Sequence, residues 1–178
     1  MKEWTQEGYQ RALRFAAEAH GAQTVPGTTL PYLLHVTSVT MEIIAALRVE
    51  PEHDQELTVQ CALLHDVVED TDRPDVELRA VFGPAVADGV SALSKDKVLS
   101  KEKRLPDSLR RIQAQPPEIW MVKLADRIVN LQPPPAHWSA AKVEVYRAEA
   151  ALIHDCLKGA SPFLATRLQQ KIKTYGRG

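Results

Sequence analysis

The string CALLHDVVEDTD, residues 61–72, sets His65 beside Asp66 and follows them with Glu69 and Asp70. The residues before them, 61–64, are apolar and suit a core. Four ionisable groups at the end of a buried helix are costly unless something compensates them, and a metal ion does so well. Positions four apart share a helix face, so His65 aligns with Glu69 and Asp66 with Asp70. The pair His65 and Asp66 reads as metal ligands, and the pair Glu69 and Asp70 as carboxylates that handle a water. Two such carboxylates repel when both are ionised, which raises one pKa and suits it to proton transfer.

A divalent cation needs further ligands, and two other apolar helical stretches carry polar interruptions. His35 lies between Leu34 and Val36, and Asp126 lies within VKLADRIVNL. With His65 and Asp66 they make a mixed nitrogen and oxygen set, suited to manganese, iron or zinc with positions left for water and substrate. Asp126 could instead pair with Lys123 or Arg127 on its own helix. Asn130 reads equally as a ligand contact or a cap for backbone groups. A second His-Asp pair, His154 and Asp155, has no carboxylates after it and is expected to be a helix-face feature. His20 either orients a neighbour of the site or packs, and His53 and His137 are expected to face solvent.

The chain has 178 residues, enough for one domain with a sizeable core. Lys and Arg number 22 and Asp and Glu 23, a formal charge of −1 that offers no basic surface for nucleic acid or membrane. The two cysteines, Cys61 and Cys156, sit in apolar helical patterns and read as reduced core residues. No apolar run approaches the roughly 18 residues of a membrane span. The N-terminal residues lack an apolar targeting segment, so a cytoplasmic protein is expected.

Helical periodicity dominates, and the expected fold is all-α, one domain over residues 1–178 with about eight or nine helices. The first helix runs from about Thr5 to His20 and stops at Gly21. Pro31 is expected to open the second, and Asp54 to cap the third. Asp75 is expected to cap a short helix before Gly83, and Pro84, Pro106 and Pro117 each to begin another. A long helix follows from about Ser139 to Lys158, and Ser161 with Pro162 starts the last. The lysine-rich residues 94–104 read as a mobile loop or a frayed helix start.

His…HD…D is the pattern of the HD metal-dependent phosphohydrolase superfamily. The strings PYLLH, ALLHDVVEDT, FGPAVADGVSALSK and VKLADRIVNL narrow it, because together they resemble the hydrolase domain of the RelA/SpoT family. The resemblance covers roughly Tyr9 to Leu157. It implies an all-α fold, a single Mn²⁺, and hydrolysis of guanosine 3′,5′-bis(diphosphate), the alarmone ppGpp of the stringent response, by water attack at the 3′ phosphate with release of pyrophosphate. It implies His35, His65, Asp66 and Asp126 as metal ligands and Glu69 and Asp70 as catalytic carboxylates. Asn130, Lys95 or Lys97, and more weakly Tyr146 and Arg147, match substrate-contacting positions. No synthetase segment follows, so the chain resembles a stand-alone small alarmone hydrolase, with the oligomeric state open. One departure stands out: the family's arginine-lysine pair after its AHxGQ-like string is replaced here near Thr24 and Val25. A charge-assisted contact contributes about 1.5–3 kcal/mol. Either other cations substitute for the pair, or the substrate is a different nucleotide or phosphorylated metabolite; a domain that binds a nucleotide or a partner without turnover is a third alternative.

Overall fold

The computed structural model describes residues 2–176. Ten helical segments follow one another: α1 Gln6–His20, α2 Leu33–Leu47, α3 Gln55–Leu64, α4 Val67–Asp70, α5 Asp75–Phe82, α6 Pro84–Leu93, α7 Lys101–Gln113, α8 Pro117–Asn130, α9 Ala140–Leu157 and α10 Pro162–Thr174. α4 is a single turn that continues α3 after a short break, so the count agrees with the nine-helix expectation. Among the described residues the only β pairing is an isolated bridge between Thr24 and Pro31. Among the described residues no helix is long and apolar enough to cross a membrane.

Local chemistry starts the helices. Thr5, Asp54, Ser139 and Ser161 each accept a backbone N–H from three residues ahead with the side-chain oxygen. Gly83 stands between α5 and α6 at φ 86°, a left-handed conformation that lets one residue end the first helix and begin the second.

α3 and α8 form the centre. A helix buried around its whole circumference loses its amphipathic stripe. Every residue of α3 from Thr58 to Leu64 is buried, as is every residue of α8 from Met121 to Ile128. α2 packs on both, and α1, α6, α9 and α10 close the shell around them. Ile43, Leu63, Leu64, Ile119, Leu124, Ile153 and Leu164 are among the large side chains sealed in that core.

Three boundaries differ from expectation. Pro31 does not open α2. It pairs with Thr24 and, with Tyr32, makes a tight turn whose carbonyls receive Leu34 N and His35 N, so the helix begins at Leu33. Asp75 is the first helical residue of α5 rather than its cap, and Pro74 holds the cap position. Pro106 lies inside α7. It forfeits one helical hydrogen bond there, while Leu109 and Ile112 on the same helix bury into the core.

A tight crossing between apolar side chains lies at Gly89 of α6. A Cβ there would come within 2.5 Å of Ile119 Cδ1 and 3.1 Å of Cys61 Sγ, both on fully buried residues. Gly89→Ala should therefore destabilise by about 1–3 kcal/mol through overpacking, despite alanine's better helix propensity. A thermal melt in which the variant equals or exceeds the wild type would show that the crossing is looser than described.

Candidate functional site

α2 and α8 each send one polar side chain into the same buried corner, and the two residues that follow α3 add one each. His35 comes from the first turn of α2 and Asp126 from the third turn of α8. His65 caps α3 directly after Leu64, and Asp66 follows it at φ −101°, ψ −3°. That conformation lies in the bridge region where many active-site residues sit. The helical path survives it, since Asp70 N still donates to Asp66 O at 2.8 Å.

The side chains meet closely. His35 Nε2 and His65 Nε2 are 3.3 Å apart. Asp66 Oδ2 is 3.0 Å from His65 Nε2 and 3.4 Å from His35 Nε2. Asp126 Oδ1 is 3.5 Å from His35 Nε2 and 3.8 Å from His65 Nε2. Ligand atoms of His35, His65 and Asp126 all lie within 4.8 Å of one another, a grouping able to hold one metal ion.

The hydrogen bonds around the cluster decide which atoms are free. His65 Nδ1 lies 2.8 Å from the Ala62 carbonyl, which only accepts, so Nδ1 carries a proton. In the neutral ring Nε2 is then a bare lone pair aimed at another imidazole and two carboxylate oxygens. Such a convergence is repulsive without a positive charge in its midst, and it suits a cation held by nitrogen and oxygen. Without one, protons take that role. Burial works against a charged His35, but Asp126 and Asp66 overcome it and raise its pKa to about 9. Burial likewise opposes charge on His65, and Asp66 leads the groups that raise it. Burial pushes the carboxylates the other way: at Asp66 the His65 ring outweighs it, and at Asp126 Lys123 and His35 do, so both stay far below the usual carboxylate range.

Asp126 pairs with Lys123 on its own helix and also faces the histidines. Its Oδ2 accepts from Lys123 Nζ at 2.9 Å while Oδ1 faces the histidines and accepts from Asn130 Nδ2. Asn130 therefore acts on Asp126 directly, one helical turn away.

Glu69 and Asp70 diverge on α4. Both Glu69 oxygens are engaged by Lys95, through its backbone N at 2.8 Å and its Nζ at 3.1 Å. Lys97 Nζ donates to the Glu69 carbonyl. The first part of the lysine-rich segment, expected as a mobile loop or a frayed helix start, is thus pinned to α4, and its last part begins α7 at Lys101. The Asp70 carboxyl edges onto solvent. Partial burial, then Asp66 and Glu69, raise its pKa against the pull of Lys97 and Lys95.

The remaining candidates lie apart. Tyr146 packs edge-on to Trp138 and beneath the Arg127 guanidinium, 4.4 Å from the ring centre. Arg127 is buried with Nε and Nη1 unpartnered. Arg147 turns to Glu144 on its own helix. His154 pairs with Asp155, as expected of a helix-face pair, and His137 is exposed. His53 departs from expectation: it is only 12 % exposed and lies 3.4 Å from Glu118, the α8 carboxylate that also receives Asp54 N. Two residues with no role in the sequence reading also touch the site. Tyr32 donates to Asp66 Oδ2 at 2.5 Å, and Gln23 bridges His20 and the Asp70 carbonyl. Tyr32 stands three residues before His35, a spacing that places it beside that histidine; nothing in the sequence marks Gln23.

Residues 12–162 match the HD domain family. The chain is 34% identical over 169 residues to guanosine-3′,5′-bis(diphosphate) 3′-pyrophosphohydrolase MESH1 of Danio rerio, covering 89% of this chain and 88% of that protein. It is 36% identical over 129 residues to guanosine-3′,5′-bis(diphosphate) 3′-pyrophosphohydrolase of Aquifex aeolicus, covering 71% of this chain but 18% of that longer protein. A solved structure described as a metazoan ortholog of SpoT that hydrolyzes ppGpp superposes with a TM-score of 0.82 at 29% identity, over 97% of this chain and 98% of that one. The helical architecture, the clustered histidines and aspartates and these likenesses agree: the chain belongs to the HD-domain family and is homologous to the SpoT-type hydrolases.

Proposed function

We propose that the chain is a single HD domain that hydrolyses guanosine 3′,5′-bis(diphosphate) at its 3′ diphosphate. The observation that carries this is the meeting of two imidazole Nε2 atoms and two carboxylates in one buried corner, beside a second carboxylate pair. The names of the homologous hydrolases supply the substrate class.

His35, His65, Asp66 and Asp126 would hold one divalent cation; their mixed donor set suits manganese, iron or zinc, and we take it to be Mn²⁺ from the family resemblance. When bound, such a cation lowers the pKa of a water and polarises a phosphoryl oxygen. Asp70, ionised, with its pKa raised and its edge on solvent, takes the water's proton. Glu69 holds Lys95 by both oxygens, and Lys95 and Lys97 present positive charge to the phosphates. The water oxygen bonds to the 3′ phosphorus, the bond from phosphorus to the ribose 3′ oxygen breaks, and that oxygen takes up a proton. Pyrophosphate and guanosine 5′-diphosphate result. Asn130 acts through Asp126. Tyr146 and Arg147 would meet the substrate's outer parts, though Arg147 must first leave Glu144.

A second reading is favoured by one observation. Thr24 is exposed and Val25 half-buried where the family resemblance calls for two cations, so an HD phosphohydrolase of another nucleotide is the competitor. Pyrophosphate release assayed across a panel of purified nucleotides separates the two. Rapid turnover of the bis(diphosphate) supports the first reading, and turnover confined to another nucleotide replaces it.

Asp66→Ala should lose bound metal on dialysis, measured by elemental analysis. Glu69→Gln should retain the metal and lose turnover, because Lys95 loses its ionic partner. Undiminished activity in Glu69→Gln would remove that residue from the mechanism.

For Asp70 the sign is fixed by its role as a base: the ionised form is active, so turnover falls as pH drops through its raised pKa. Asp70→Asn should be about 100-fold slower or worse and should lack that acid limb. A pH–rate profile unchanged in the variant would assign the proton transfer to another group.

A further inference from the structure

The chemistry above makes no use of the segment from His20 to Tyr32, yet it lies directly against the cluster. The Tyr32 hydroxyl donates to Asp66 Oδ2, the same oxygen that faces both histidines. Its ring packs on His35 on one side, at a centroid distance of 5.3 Å, and on His20 on the other, at 4.6 Å.

The His20 ring is itself fixed, and its tautomer can be read. Gln23 Nε2 donates to the Asp70 carbonyl at 2.6 Å, so the amide nitrogen faces α4 and the amide oxygen faces His20. That oxygen lies 2.8 Å from His20 Nδ1, and two acceptors cannot share a hydrogen bond, so Nδ1 carries the proton. In the neutral ring His20 Nε2 is then a bare lone pair, and it is buried and without a hydrogen-bond partner. An apolar ring would fill the space without that penalty. What imidazole adds is the bond to Gln23, and through it a link to the turn that carries Glu69 and Asp70.

We propose that Tyr32 is a positioning residue for the metal-holding carboxylate, buttressed by His20 and Gln23. Asp66 sits at a break between two helices, with its side chain 18% exposed. The phenol hydroxyl occupies one lone pair of Oδ2 and leaves the other directed at the imidazoles. The aromatic stack from His20 through Tyr32 to His35 sets the height of that hydroxyl. The Gln23 amide keeps α4 in register with the stack, so the metal ligands and the carboxylate turn share one support. This inference rests on the metal reading given under the proposed function.

The test is calorimetric titration of metal-free protein with Mn²⁺, which needs no substrate and no turnover. Tyr32→Phe, which removes a single oxygen, should weaken the Kd by about 10–100-fold while leaving the melting midpoint of the metal-free protein unchanged. His20→Phe, which keeps the stack and deletes the Gln23 bond, should weaken it in the same direction by less. Wild-type Kd values in both variants overturn the proposal, as does a lowered metal-free midpoint with unchanged Kd. Should Tyr32→Phe fail to fold, His20→Phe decides alone. Undiminished Mn²⁺ binding by His65→Ala would instead overturn the metal assignment itself.

Discussion

Two imidazoles and two carboxylates cannot be driven into one dry corner unless positive charge joins them, and the surroundings of that corner follow from this demand. The Ala62 carbonyl takes the His65 Nδ1 proton and leaves Nε2 bare. Lys123 answers one oxygen of Asp126 from within the same helix, and Asn130 steadies the other. Tyr32 does the same for Asp66. An uncompensated buried carboxylate would cost several kcal/mol, so Lys123 is part of the fold's stability as well as of its site. The three helices involved are packed on one another, and the two central ones are enclosed on nearly all sides. Their rigidity is what lets four side chains hold sub-4 Å spacings without a covalent link.

Around that fixed corner the charges are divided by distance. The inner carboxylates stay ionised because cations and imidazoles crowd them. The outer pair on α4 is differently served: Glu69 is saturated by Lys95, and Asp70 is left without a cationic partner in contact. One acid is thus committed to holding a lysine and the other remains able to exchange a proton. The sequence alone had given the two adjacent residues a common role, and only the fold separates them.

What could be read from the chain was whatever is local. The caps at Thr5, Asp54, Ser139 and Ser161 announce themselves by type and position. His35 and Asp126 stand out because a polar residue in an apolar run needs a reason. Pro106 misled because its first-turn preference is a tendency, and burial of Leu109 and Ile112 outweighed one missing hydrogen bond. The break at Asp66 and the bridge made by Gln23 were illegible, since both depend on groups more than 40 residues away in the chain or on packing that no window of sequence contains. His53 was hidden for the same reason: its partner, Glu118, belongs to a helix that starts at Pro117.

The turn between α1 and α2 is closed by its own main chain. Val25 N reaches Leu30 O, Thr28 N reaches Val25 O, and Tyr32 N reaches Gln23 O, each near 2.9–3.0 Å. None of these bonds involves a side chain at 24 or 25. Those two positions can therefore accept arginine and lysine with the backbone left as it is, so a change of charge at this loop is open to the chain without a change of path.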